Sequence, residues 1–384
     1  MGLTKIDVML STWFSPPKSV ISNARVREFY YHLKPLLPKV LRMKVRQLEA
    51  RKIRKRSRDF WPIDPRAATK PVRWSGWPNG KQFAFVLSHD VEGPIGMERA
   101  IELMKIDEEL GFRSVFNFVP EGGYSVPVGI RRTLERNGFE VGVHDLRHDG
   151  KLYNSREEFR RSAERINQYL CQWGAVGFRS AFMLHNLEWI HDLEVLYDSS
   201  TFDTDVFEPQ PEGVGTIFPF WCNLNGRSRG YVEIPYTLPQ DSTLFLVLQE
   251  KNTSIWKRKL KWIAEQGGMA FLNVHPDYMH MGDGRRSKWE FDAGLYREFL
   301  THVKEHYEGA YWQALPKKVA EFYRRSQLKK EERSVVTSSA AEVGASIDVI
   351  VDGSSAGTVM TLGTLSFFVE TVAADLVTRV GPML

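Results

Sequence analysis

The sequence predicts an α/β domain built on a parallel sheet (residues 77–330), preceded by a basic helical extension (1–76) and followed by an appendage of different composition (331–384). Three observations carry this expectation. Short apolar runs alternate with amphipathic helical runs across the middle of the chain, the rhythm of parallel strands joined by crossover helices. Ionisable residues recur just after those apolar runs, where parallel α/β folds collect their function. All eleven tryptophans lie at or before Trp312, whereas 334–384 is rich in Ser, Ala, Thr, Val and Gly, with Arg379 its one basic residue.

The extension comes first. Residues 20–58 read as helical and basic, with Leu37, Val40, Leu41, Val45 and Leu48 near helical spacing. Between Arg42 and Arg58 stand nine Lys or Arg and one acid, Glu49, so this segment carries +8 of a net +5 and the rest of the chain carries −3. Such local charge is not the footprint of a nucleic-acid-binding domain. It fits a helix packed on the main domain with a solvated basic face, or a peripheral contact with a membrane surface or an anionic polymer. RDFWPIDP and WSGWPNGK then mark a connection and a turn.

The domain follows. QFAFVLSH, RSVFNFV, FEVGVH, VGFRS and MAFLNVH read as strands, with YVEIPY and TLFLVLQ as further apolar runs. Helices are expected at ERAIELMKIDEEL, at GIRRTLERNG with its closing glycine, and at SREEFRRSAERINQYLCQWG, where Ser155 and Glu158 make a capping box. Further helices are expected at LEWIHDLE, around SIWKRKLKWIAEQG and FDAGLYREFLTHVKEHY, and at LPKKVAEFYRRSQ. The appendage reads as partly disordered, with a strand at SIDVIVDG.

Composition narrows the class. With 42% hydrophobic and 26% charged residues the chain matches a soluble globular protein. Cys171 and Cys222 are its two cysteines, too few for a disulfide framework and consistent with a reducing compartment. The N-terminus lacks a basic stretch leading into a long apolar run, and no run of about 18 apolar residues occurs. A cytoplasmic protein, at most membrane-peripheral, is expected.

The strand ends carry the chemistry. QFAFVLSH runs into Asp90 and Glu92, which share a side of an extended segment. FEVGVH runs into His144 and His148, which a helical turn would place on one face. VGFRS ends on Arg179, which would clamp a carboxylate, and MAFLNVH ends on His275. Two imidazoles and one carboxylate form a zinc-type set with a position left for water. HDLRH also matches HExxH loosely, but a strand leads into it and Asp145 stands in place of Glu.

The series HDVEG, VHDLRHDG, GFRSAF, YDSSTFDTD and FLNVHPD resembles the motifs of the polysaccharide deacetylase, or NodB-homology, family of carbohydrate esterases, over roughly Trp77 to Tyr323. The resemblance implies an incomplete (β/α) barrel and a metal-dependent hydrolase that removes acetyl groups from an N- or O-acetylated sugar or polysaccharide. It implies one divalent ion, zinc, on Glu92, His144 and His148, with Asp90 as base, Arg179 steadying it and His275 as acid. Phe182 and Leu272 match substrate-side positions, and Asp203 or Asp205 would support His275. Glu92 is longer than the family's usual Asp, Ala181 stands where Pro is frequent, and Phe182 stands where Tyr is common. Two other readings use the same residues: a non-catalytic carbohydrate-binding protein on this barrel, and an amide hydrolase for an acetylated small molecule.

Overall fold

The computed structural model describes residues 39–326, apart from 73, 209–212 and 225–229. The expectations for 1–38 and for the appendage lie outside the described residues.

Nine strands form the main sheet. In chain order they are β1 (Phe83–Val91), β2 (Val115–Phe118), β3 (Glu140–His144), β4 (Gly177–Arg179), β5 (Tyr197–Asp198), β6 (Phe220–Asn223), β7 (Gly230–Glu233), β8 (Met269–Val274) and, after a separate two-stranded pair β9 (Met279–His280) and β10 (Phe291–Asp292), β11 (Tyr311–Gln313). β1 pairs in parallel with β8 on one side and with β2 and β11 on the other. The parallel series continues through β3, β4, β5 and β7, and β6 adds an antiparallel edge. All nine residues of β1 are buried, as expected of a parallel strand covered on both faces.

The sheet curls until its ends meet. Beyond β7, the backbone N–H groups of Thr237 and Leu238 donate to the Phe271 carbonyl of β8 at 3.1 and 3.0 Å. Thr237 Oγ1 donates to the Met269 carbonyl at 2.7 Å and accepts from Phe271 N at 2.9 Å. One threonine and an irregular segment thus replace the missing ladder, so the (β/α) barrel is incomplete, as the resemblance implies.

The longer helices fall where the sequence places them. Ser155 Oγ accepts from Glu158 N and caps Arg156–Trp173, which Gly174 ends in a left-handed conformation. Ser254–Gln266 and Ala293–Tyr307 fall where expected, and a last helix spans 316–326. The run TLFLVLQ is a π-helical turn, Ser242–Val247, rather than part of the sheet. LEWIHDLE holds only a short 3-10 turn, Trp189–Asp192.

The extension joins the main body. Its helix, Lys39–Arg56, buries Met43 and Ala50, and Gln47 Nε2 donates to the Leu246 carbonyl at 3.0 Å. Val40, Leu41, Val45 and Leu48 are exposed, so the packed face is not the apolar stripe that the spacing picked out. Trp61 packs on Phe207, and Trp74 and Trp77 join a cluster with Phe218 and Phe322, so these three tryptophans pack with the core. Cys171 and Cys222 are unbridged, and no described helix is long and apolar enough to cross a membrane.

Glu140 opens β3 at the N-terminal end of the barrel. Tyr197 Oη donates to its Oε1 at 2.9 Å and Lys317 N to its Oε2 at 3.1 Å. Burial pushes its carboxyl up from the ordinary 4.5 to about 7, against the opposing pull of the Lys317 N–H. The folded state therefore keeps a proton that the unfolded chain releases. The stability this gives is complete below the ordinary value and is lost as pH rises through about 7. Glu140→Gln does not titrate. Its thermal midpoint relative to the parent should rise between about pH 5 and about pH 8. A difference independent of pH would show that Glu140 is not the source of the slope.

Candidate active site

The C-terminal ends of β1, β3, β4 and β8 converge on one cleft. Asp90, Glu92, His144, Ser180, Phe182, His275 and Tyr278 line it, with Arg46 from the N-terminal helix and Thr243 from the π-helical turn.

Asp90 is the most constrained group. It is buried near the end of β1, and each carboxylate oxygen accepts from an amide: Oδ1 from Asn117 Nδ2 and Oδ2 from Asn273 Nδ2, both at 2.8 Å. Arg179, fully buried at the end of β4, brings Nε within 3.6 Å of Oδ1, and its guanidinium lies over the Phe271 ring. Burial alone would raise the Asp90 pKa, but Arg179, then His144 and His275, hold it well below the usual carboxylate range. Asn117 reaches Asp90 because its neighbour on β3 is Gly142. A Cβ there would stand 2.1 Å from Asn117 Oδ1.

Glu92 lies just beyond β1. Its backbone N–H donates to Asp277 Oδ2 at 2.9 Å, and Tyr278 Oη donates to its Oε2. Asp277 also accepts from Gly96 N at 3.1 Å, and a Cβ at Gly96 would overlap that carboxylate. The longer side chain at this position is thus tied at both its backbone and its tip. Oε1 is left facing His148 Nε2 at 3.2 Å and His275 Nε2 at 3.8 Å.

The two histidines meet through a loop, not through the helical turn the spacing predicted. Residues 146–150 form successive bends, and Asp145 and His148 lie at φ 57° and 55°. The rings of His144 and His148 come to 4.8 Å between centroids. Asp145 shapes this loop. Its Oδ1 accepts from Leu146 N and Arg147 N, and its Oδ2 from Ala181 N. It is occupied with backbone, so the loose HExxH match has no base here. His144 Nδ1 lies 3.1 Å from the Arg179 carbonyl, which leaves Nε2 as the free nitrogen. That atom and both nitrogens of His148 are buried without a hydrogen-bond partner; the 3.2 Å approach to Glu92 lacks hydrogen-bond alignment. Burial lowers the His144 pKa. For His148 burial pulls the same way, but Glu92 overrides it and raises the value.

Orphaned buried nitrogens beside a carboxylate are costly unless something satisfies them. One ligand atom each from Glu92, His144 and His148 lies within 4.8 Å of the others. This N₂O donor set suits a divalent ion of the zinc type.

His275 ends β8 with a partner the sequence did not reveal. Asp241 Oδ1 lies 2.6 Å from its Nδ1, and Asp241 Oδ2 accepts from its backbone N–H at 2.7 Å. Burial favours the neutral ring, but Asp241 outweighs it and raises His275 to about 10. Neither Asp203 nor Asp205 takes this place. Asp203 is paired with Lys259 Nζ at 2.6 Å in a buried ion pair, and Asp205 Oδ1 accepts from Phe207 N. Leu272 is buried in β8 beside Leu87 and is absent from the cleft lining. Strand alternation turns it away from Asn273 and His275, so it packs the barrel wall instead of facing a substrate. Phe182 does face the cleft. It is left-handed at φ 58°, and its ring is 4.8 Å from that of His148.

Four residues were missed: Asn117, Asp241, Asn273 and Tyr278. Two had a signal. Asn117 is a lone amide inside VFNF, and Asn273 alternates with His275 on one face of its strand.

Calorimetry with zinc should find one high-affinity site per chain, lost in His148→Ala. Tyr278→Phe should weaken binding by about 10–100-fold, because the carboxylate tip is then no longer held. Unchanged affinity in both variants would place any bound ion elsewhere.

No family model matches the chain, and no curated protein matches it. Solved structures do match. A candidate polysaccharide deacetylase from Mycobacterium smegmatis is 20% identical, with a TM-score of 0.49 over 67% of this chain and 96% of that one. A peptidoglycan deacetylase from Bacillus subtilis is 11% identical, with a TM-score of 0.38 over 67% of this chain and 98% of that one. A family 4 carbohydrate esterase from Streptomyces lividans is 9% identical, with a TM-score of 0.35 over 61% and 93%. All three are named for the class of enzyme whose motifs this sequence resembles.

Proposed function

We propose that this chain is a metal-dependent deacetylase of the polysaccharide deacetylase type, acting on an N- or O-acetylated sugar. One observation carries the reading: a buried carboxylate clamped by Arg179 and an imidazole backed by Asp241 line the same cleft as Glu92 and His144 of the donor set. A protein that only bound sugar would have no use for that pairing, which favours turnover over the non-catalytic reading.

In this reading Glu92, His144 and His148 hold the ion, with zinc as the expected species. When bound, an ion there supplies Lewis acidity to water and to the acetyl carbonyl. Asp90, fixed by Asn117, Asn273 and Arg179, takes a proton from the attacking water. The Phe182 backbone N–H donates to the carbonyl oxygen as negative charge builds on it. His275, kept protonated by Asp241, gives its proton to the leaving nitrogen or oxygen as the acyl bond breaks. Phe182, half-buried in the cleft lining, is the aromatic residue placed to meet a sugar ring.

The variants separate these roles. Asp90→Asn should retain the ion, since the three ligands remain, while losing most deacetylation. His275→Ala should slow amide substrates by on the order of 10²–10⁴ and activated esters much less, because an activated leaving group needs no proton. Equal losses on both substrate types would make His275 structural, and full activity in Asp90→Asn would remove this mechanism.

A further inference from the structure

The helix Lys39–Arg56 has a second face that the barrel does not use. Seven large hydrophobic side chains are strongly exposed among the described residues, and five lie in or just after this helix: Val40 at 42%, Leu41 at 48%, Val45 at 48%, Leu48 at 56% and Phe60 at 41%. Such clustering in one short stretch is not the scattered exposure of an ordinary surface. The helix is nonetheless fixed in place, because Met43 and Ala50 are buried, Gln47 bonds Leu246, and Arg54 pairs with Glu250.

Cations interleave with these apolar side chains. Leu41, Val45, Leu48, Lys52 and Lys55 follow one another at four- and three-residue steps, and Lys44 stands three after Leu41 and four before Leu48, so cations and apolar side chains share one stripe. Lys44, Arg51, Lys52, Lys55 and Arg56 are exposed, and none has an acid partner among the described residues.

We propose that this face docks on an anionic lipid surface, with Leu41, Val45 and Leu48 entering the interface and the lysines and arginines meeting lipid headgroups. Charge complementarity selects this occupant. Residues 1–38 hold five Lys or Arg against two acids and do not complement this face; residues 334–384 hold five acids against Arg379, so removing them should leave vesicle binding unchanged, and a marked gain on their removal would make them the occupant instead. A second copy of the chain would bring the same cations into register. A purely polyanionic partner such as nucleic acid would leave the leucines and valines without a role, whereas a bilayer interface takes both kinds of side chain. The same helix contributes Arg46 to the cleft lining, so the contact sits at the rim of the candidate active site. The surface does not depend on the hydrolase reading, and the two stand or fall on separate measurements.

The test is vesicle co-sedimentation of the full chain. Phosphatidylcholine vesicles containing about 30% phosphatidylserine should bind it, with affinity falling steeply as salt rises, and phosphatidylcholine alone should not. Lys44→Glu with Lys52→Glu should weaken binding by at least about ten-fold. Val45→Ser with Leu48→Ser should also weaken it, while the thermal midpoint and any activity on soluble substrate stay at the parent values. Equal binding to neutral vesicles, or binding indifferent to both variants, overturns the proposal. So does a concentration-dependent dimer that the Val45/Leu48 variant abolishes, or tighter binding to RNA than to the anionic vesicles.

Discussion

The site depends on burying two opposite charges at the mouth of a barrel. Asp90 and Arg179 are both removed from water, and each would cost several kcal/mol if left alone there. Neither is. Arg179 lies against Asp90 and over the Phe271 ring, and two amides complete the carboxylate's hydrogen bonds. This fixed anion and the imidazolium at His275 bracket the three groups that suit a metal.

The barrel makes this economical. Parallel strands deliver β1, β3, β4 and β8 to one rim, so four separate segments of sequence meet without long connections. Closing the ring through Thr237 holds β8 beside the segment that carries Gln240 and Asp241. The carboxylate that supports His275 is therefore supplied by the irregular part of the barrel wall. The opposite end holds buried acids such as Glu140 that serve packing and not chemistry, in keeping with the division of labour between the two ends of such barrels.

Much of this was legible in the sequence, for identifiable reasons. Strand polarity and residue type placed Asp90, Glu92, His144, His148, Arg179 and His275 on one rim, because a parallel sheet leaves each strand end there. The way the histidines meet was not legible. It depends on left-handed backbone at Asp145 and His148, and on Asp145 bonding three backbone N–H groups. Spacing alone pointed to a helical turn. Asp241 was also hidden, 34 residues before its histidine and at the head of an apolar run that turned out to be π-helical. Asp203 looked equivalent as a letter, but Lys259, a cation in the helix Ser254–Gln266, claims it. On the helix Lys39–Arg56 the apolar spacing was visible, yet the smaller contact face of Met43, Gln47 and Ala50 is the one that packs.

The central claim is that the anion, the acid and the metal ligands form one hydrolytic unit. It is tested most directly by acetate release from N-acetylated chito-oligosaccharides and O-acetylated xylo-oligosaccharides, using full-length protein as purified, stripped by chelation and reloaded with zinc. The account predicts release from at least one series by the purified protein, loss on stripping and recovery on reloading, with one free amine or hydroxyl formed per acetate. Folded, zinc-loaded protein that binds these sugars yet releases no acetate from either series would contradict it.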